Sequence, residues 1–504
     1  MAHADTRRPV DWVARASALR IEIRNFIGGR SSAGDGAGVL HKASPRDGHE
    51  LYGFVAGSPR DVESAVVAAR RAFADGRWSR LPAHRRCEVL YRLATLLAEH
   101  TEEFALLESL DTGKPVRDAV GFDVPHAVST LRFSAAAGDK LAGQVYAVDA
   151  NNLSYQSRRP LGVVGGIIGW NFPLVLAAEK IAPALATGNS LVLKPSELTS
   201  LSAARLAELA LEAGVPEGVL NVIHGSPEVG AALARHQDVD MITFTGSSRT
   251  GKLLLVAAGE SNMKRLLLEC GGKAPNIVFG DAPDLTAVAD GIVARAFWNQ
   301  GQVCTASSRL LVQEDIRDEL LKLVIERASV LHPGDPLEEQ TTFGALVSSG
   351  HREKVLGYIA SGEREGARAI YQASTPGPFP GGFYVAPVIF DEVSPVHRIA
   401  QEEIFGPVLS VLAFRDDEEA VRLANSTIYG LSAILWTRDL RRAHRLSQSI
   451  DAGWIVVNAT ASPSGGPGPG MLSIGGHKQS GIGVEGGVEG LKAYTRESAI
   501  QIFV

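Results

Sequence analysis

The chain has 504 residues, 45% of them hydrophobic and 21% charged, with a formal net charge of −6. That balance suits a soluble globular protein of two or three domains and offers no basic footprint for nucleic acid. No apolar run approaches the roughly 18 residues that span a bilayer, and the opening MAHADTRRPVDWVARASALR lacks the apolar core of a secretory signal, so no membrane role and a cytoplasmic location are expected.

The first 145 residues read as mostly helical. SPRDVESAVVAARRAFADGRW opens on Ser58-Pro59 with apolar residues at helical spacing, and RRCEVLYRLATLLAEHTEEFALLESL continues as a second amphipathic stretch until Asp111-Thr112-Gly113. LSYQSRR (153–159) alternates as an exposed strand would, up to Pro160. From 162 the rhythm changes. Short apolar runs GVVGGIIGW, SLVLKP, VLNVIHG, MITFTG and RLLLEC recur with helical patterns between them. Such alternation implies a doubly wound parallel sheet, which binds ligands beyond the carboxyl ends of its strands. A second α/β pattern runs from 272 to about 480, with strands expected at APNIVFG, RLLVQE, PVLSVLAF, SAILWT and WIVVN and a Pro/Gly loop, ASPSGGPGPG, at 461–470. AIQIFV ends the chain as a strand, and it and the strand at 153–159 both call for partners.

The chemistry-bearing residues cluster at strand ends. The three cysteines, Cys87, Cys270 and Cys304, close no disulfide framework and lack zinc-ligand spacing, so no metal is expected. Cys304 stands apart: in FWNQGQVCTASSR it lies among amides, glycine and small hydroxylic residues rather than in an apolar setting, which marks a reactive thiol. In FTGSSRTG, Gly246 follows a strand and Ser247 opens a helix, a turn that attracts a phosphate, although a plain strand-to-helix turn explains it as well. LVLKPSE places Lys194 and Glu197 where hydroxyls or phosphate would be met, and a solvated loop is the alternative. In LLLECGGK, Glu269 ends an apolar strand, where a raised pKa suits a general base for water. Asn171 in GWNFPLVLAAEK can donate to an oxyanion, and Phe172, Leu176 and Glu179 share one helix face on which the carboxylate is the anomaly. In EEIFGPV, Glu403 and Phe405 point the same way if extended, one to bind hydroxyls and one to cover a ring. Together these describe a site that oxidises a carbonyl through a thioester.

WNFP, LKPSE, FTGS, LE-x-GGK, NQGQ-x-C and EEIFGPV, spread over essentially the whole chain, resemble the aldehyde dehydrogenase superfamily. LESLDTGKP, SNMKR and LWTRDLRRAHRLS resemble its bacterial γ-glutamyl-γ-aminobutyraldehyde and guanidinobutyraldehyde members. The resemblance implies an α/β fold with a Rossmann-type coenzyme domain (1–145 and 162–271), a catalytic domain (272–480), and oligomerisation strands (146–161 and 481–504) forming a homo-oligomer. It implies NAD as coenzyme, with NADP admitted if Glu197 swings away, and a small aldehyde oxidised to its acid. Cys304 would be the nucleophile, Asn171 and the Cys304 N–H the oxyanion donors, Glu269 the base, and Lys180 with Glu485 a proton path. Coenzyme contacts would come from Ile168, Gly169, Trp170, Lys194, Ser196, Glu197, Gly225, Gly230, Phe244, Thr245, Gly246, Ser247, Gly271, Glu403 and Phe405. Phe172, Leu176, Glu179, Trp298, Val303 and Thr305 would line the substrate path.

Three departures from the family pattern stand out: Cys270 after the base, Ser473-Ile474-Gly475-Gly476-His477 at the substrate entrance, and Glu179 where many relatives carry tryptophan. Glu179 would favour aldehydes with a distal cation, or only close a salt bridge at the tunnel mouth. Other readings kept beside this one are a silent binding protein of the same fold, an acylating enzyme that passes the thioester to coenzyme A, and a thiol hydrolase acting on esters.

Overall fold

Five short apolar runs, each followed by a helix or turn that covers it, assemble into the centre of the molecule. In the computed structural model, which describes residues 10–373, 376–459 and 472–503, these are Leu220–Val222, Ser190–Lys194, Val163–Ile167, Met241–Thr245 and Arg265–Glu269, paired in parallel in that spatial order. Chain order runs outward in one direction from Val163–Ile167 and in the other from Met241–Thr245. Their shared border is the switch point, where the crevice of such a sheet opens. The Pro/Gly loop at 461–470 lies outside the described residues.

The sheet has eight strands, because short antiparallel pieces extend both edges. Asn25–Ile27 and Arg30–Ser32 join one side, and Gly481–Ile482 pairs with Leu268 and Glu269 on the other. The first 145 residues are therefore less purely helical than expected: they also hold the hairpin Val39–Ala43/Glu50–Val55. These strands are short and half polar, which hides them from periodicity. The long stretch at 85–110 is two helices, Ala83–Glu99 and Thr101–Thr112, parted at His100.

The second sheet runs Arg368–Gln372, Val388–Asp391, Val408–Phe414, Arg309–Gln313, Pro275–Val278, Ser432–Trp436, Trp454–Val457, parallel except for the first pair. The five expected strands are there. Arg368–Gln372 and Val388–Asp391 are additional, the former exposed and the latter only four residues long.

A three-stranded antiparallel sheet joins Val145–Asp149, Asn152–Pro160 and Thr495–Phe503. This corrects two expectations. The two strands thought to need outside partners pair with each other along their full length, from Thr495 opposite Pro160 to Phe503 opposite Asn152. The segment 481–504 is also not all arm: it begins as an edge of the coenzyme sheet and passes through the helix Gly487–Ala493 before Thr495.

Candidate active site

Cys304 is presented by a strained loop. After the helix Leu285–Phe297, Asn299, Gln300 and Gly301 adopt φ of 48°, 56° and 71° in succession. Two such non-glycine residues cost about 1–3 kcal/mol each and persist only when neighbours hold them. Here amides do so. Asn299 Nδ2 donates to the carbonyls of Asn171 (3.1 Å) and Gln302 (3.3 Å). Gln302 Nε2 donates to Asn299 O at 3.1 Å, and its Oε1 accepts from Val347 N at 3.0 Å. Asn171 Nδ2 donates to Gln302 O at 3.0 Å, which binds the expected oxyanion donor to the loop that carries the thiol. Asn171 is placed in turn by Pro173, which opens the helix Pro173–Ala186. Gly272 must be glycine, since a Cβ there would lie 2.3 Å from the Cys304 carbonyl oxygen.

The electrostatics run against a free thiolate. Burial, and then Glu403, Glu269 and Glu179, push the half-buried Cys304 thiol up to about 12. Burial first and Glu485 next hold the Glu269 carboxyl well above the carboxylate range, opposed by Lys180. Glu269 Oε1 has no hydrogen-bond partner among the described residues. The same carboxyl accepts a backbone hydrogen bond from Gly476, and a carboxyl and a thiol whose charged forms are both disfavoured by burial are suited to move protons. Lys180, wholly buried, is ion-paired with Glu485. Glu485 also accepts from Thr243 Oγ1 at 3.3 Å, and Tyr494 OH donates to that hydroxyl at 3.1 Å.

At the switch point the expected coenzyme residues gather. Ile168 N donates to the Lys194 carbonyl at 3.1 Å, so Ile168, Gly169 and Trp170 leave one strand beside Lys194 on the next. Lys194 and Glu197, read separately as coenzyme contacts, are ion-paired with each other at 3.2 Å. Ser196 Oγ accepts from Leu198 N at 3.3 Å, shaping that turn. Phe244 is buried in its strand, the Thr245 hydroxyl is buried without a partner among the described residues, and Ser247 caps the helix Ser248–Glu260 by accepting from Thr250 N at 3.2 Å. Gly225 and Gly230 lie on the neighbouring connection, and a Cβ at Gly230 would be 3.7 Å from the nearest atom, Lys194 Cδ, leaving room. A buried ammonium, an unpaired hydroxyl, a helix N-terminus and open space at one set of strand ends fit a dinucleotide.

Glu403 and Phe405 do not share an extended face. Glu403 Oε1 accepts from Gly272 N at 2.9 Å, its Oε2 would lie 2.3 Å from a Cβ on Gly271, and burial lifts its carboxyl to about 7. Phe405 instead turns through φ 61° and stands edge-on to Trp170 at 5.1 Å. His351 Nε2 holds that turn by a 2.7 Å hydrogen bond to the Phe405 carbonyl.

On the other side of the thiol lies an aromatic wall. Phe172 and Trp298 are 5.2 Å apart, and Phe122, edge-on to Trp298 at 4.6 Å, completes it with His126. Leu176 is buried nearby, and Val303 and Thr305 flank the thiol half-buried. Glu179 faces His126 at 3.4 Å with 31% of its side chain exposed. Sequence reasoning passed over Phe122, His126, His351, Asn299 and Gln302. Phe122 and His126 are four apart, as on one helix face, but Pro125 between them obscured the pattern.

Two α/β sheets, with strand ends that fit a dinucleotide and a thiol, an amide and a carboxyl on the connecting loops, suit a nicotinamide-dependent oxidoreductase. A family model described as the aldehyde dehydrogenase family matches residues 33–500, and the chain belongs to that family. It is an NAD(P)-dependent enzyme that oxidises an aldehyde to its acid. The chain is 45% identical over 492 residues to the NADP/NAD-dependent aldehyde dehydrogenase PuuC of Escherichia coli K12, covering 97% of this chain and 98% of that one. It is 45% identical over 475 residues to the aminoacetaldehyde dehydrogenase of Pseudomonas aeruginosa PAO1, covering 94% of each. The solved structure of the P. syringae indole-3-acetaldehyde dehydrogenase AldA, with NAD+ and IAA, superposes with a TM-score of 0.95 at 47% identity, over 98% of this chain and 99% of that one.

Proposed function

We propose that Cys304 is the nucleophile, Glu269 the base, and an aldehyde bearing a distal amino or guanidino group the substrate. The observation that carries the substrate class is Glu179: a part-exposed carboxylate on the aromatic wall, close enough to raise the pKa of both Cys304 and Glu269. The name of the P. aeruginosa relative, an aminoacetaldehyde dehydrogenase, supports it.

Cys304 Sγ passes its proton to the ionised Glu269 carboxylate and bonds to the carbonyl carbon, whose π pair moves onto oxygen. The oxygen of the resulting thiohemiacetal is held by the Asn171 amide and the Cys304 N–H, donors worth about 3–4 kcal/mol to an oxyanion. A nicotinamide dinucleotide would be held by Lys194, Glu197, Ser247, Glu403 and Phe405 and would supply the hydride acceptor, so that loss of hydride from the sulfur-bound carbon leaves the thioester. Glu197 favours the free ribose hydroxyls of NAD, and its pairing with Lys194 reduces the penalty for a 2′-phosphate, so NADP is tolerated. Glu269 then draws a proton from water, which attacks the thioester, and Lys180 with Glu485 relays that proton onward. A base in this position favours water over coenzyme A as acceptor, so the product is the free acid.

The two outer strands of the three-stranded sheet, on which Val145 and Phe503 are each 74% exposed, support a homo-oligomer. Three free thiols suit the cytoplasm. Among the described residues no helix is long and apolar enough to cross a membrane.

The test is a panel of amino, guanidino, aliphatic and aryl aldehydes with each coenzyme. The amino and guanidino compounds should give the highest kcat/KM, with acid formation unchanged by added coenzyme A. An aryl acetaldehyde exceeding them would shift the assignment to the second reading, which the Phe122–Phe172–Trp298 wall supports. Equal rates across the panel would end both.

A further inference from the structure

Behind the aromatic wall lies a second set of buried charges that the reaction above does not use. Glu108, Lys114 and Asp123 are each no more than 1% exposed. Lys114 Nζ lies 2.6 Å from Asp123 Oδ2, 3.9 Å from Glu108 Oε2 and 4.1 Å from the centre of the Phe172 ring. Each contact reaches a different piece of the wall. Asp123 ends the π-helical turn Ala119–Asp123, which carries Phe122. Such wide turns are rare and concentrate at functional sites. Asp118, just before that turn, accepts from the Trp298 side chain. On the other side, Glu108 Oε1 accepts from Leu174 N at 3.1 Å in the first turn of the helix Pro173–Ala186, whose own cap residue, Phe172, provides no side-chain cap. Burial, opposed by Lys114, lifts the Glu108 carboxyl to about 8, so it serves that helix start as a hydrogen-bond acceptor rather than as a fixed charge.

One ammonium therefore joins the turn that bears Phe122 to the helix start that bears Asn171 and Phe172. Packed apolar residues in place of a buried ion triad are often neutral or stabilising, so stability alone gives little reason for this one. Holding two walls in register does. We propose that Lys114 is a positioning residue for aldehyde selectivity, setting the gap between Phe172 and the Phe122–Trp298 pair through Asp123 and Glu108. The inference rests on reading that wall as the aldehyde pocket.

Lys114→Met keeps the length of the side chain and removes its charge. The readout is kcat/KM for 4-aminobutanal and for phenylacetaldehyde, each divided by kcat/KM for acetaldehyde, which is too short to span the gap. Both ratios should fall about tenfold through KM, with kcat on acetaldehyde and the coenzyme KM held within about twofold. A role confined to folding would lower kcat on every aldehyde together; unchanged ratios would overturn the proposal. If Lys114→Met does not fold, Asp123→Asn, which removes no heavy atom, cuts the same tie and is judged by the same ratios. Wild-type enzyme inert towards every aldehyde would instead defeat the reading of the pocket, a separate failure.

Discussion

Glu179 and Lys180 are neighbours on one helix, their side chains leave it about 100° apart, and they meet different partners, His126 and Glu485. Lys180 is sealed: it is wholly buried and paired with Glu485, beside the base. Glu179 keeps 31% of its side chain exposed and faces a histidine that itself is 19% exposed. A sealed ion pair acts as a fixed field, because neither partner can leave without stranding the other in low dielectric. A part-exposed pair is exchangeable, since water or a substrate cation can replace one member at small cost. On the proposed mechanism the Lys180–Glu485 pair would tune a proton and the Glu179–His126 pair would select a ligand.

The comparison collapses if the thiol between the two sides is not the reacting atom. Cys304→Ala should lower kcat by at least about 10⁴-fold while leaving coenzyme binding, followed by fluorescence titration, within a few fold. Appreciable turnover by that variant would remove the basis for assigning either side a role. Asn171→Ala should follow at about 10²–10³-fold in kcat, read in the same steady-state assay. A smaller loss would mean that the Cys304 backbone N–H holds the oxyanion alone.

How far the sequence reached divides along similar lines. The parallel strands were legible because a strand buried on both faces must be an apolar run; Glu269 and Asn171 drew notice as polar residues at the end of such a run, and Cys304 as a thiol in a polar segment. The arm strands were legible as strands but not as each other's partners, since pairing across more than 300 residues leaves no local mark. Phe405 shows another limit. Its left-handed turn depends on His351, 54 residues earlier in the chain, and nothing in EEIFGPV announces it. Lys114 and Asp123 drew no notice in the sequence because burial is a tertiary fact, invisible to spacing.

The sealed side can be sharpened by pH. If Glu269 is the base, as proposed, it works when ionised, and hydrolysis should rise as pH climbs through its raised pKa. Burial is the main cause of that rise, Glu485 adds to it, and Lys180 opposes it. Glu485→Gln removes a raising charge and leaves the opposing cation in place, so the alkaline rise of kcat should move to lower pH by about one unit. Adding Lys180→Met removes both charges and should return the profile most of the way. A profile that ignores both changes would mean that another step sets the pH dependence.

The exchangeable side predicts the smallest effect. In Glu179→Gln the shape persists and the charge is lost, so a neutral aldehyde should react as before. An amino aldehyde loses one part-exposed ion pair, worth about 0.2–1 kcal/mol, which caps the fall in its kcat/KM at roughly fivefold. The loss should appear in KM, because the distal cation lies away from the reacting carbon and binds ground state and transition state alike. It should also fade in high salt, as a part-exposed interaction must. His126→Gln isolates the other partner: with the imidazole gone, Glu179 is freed for substrate, and amino-aldehyde KM should hold or fall. If instead both variants lower kcat/KM equally for amino and neutral aldehydes, the pair merely shapes the mouth of the pocket, and selectivity must come from the aromatic wall behind it.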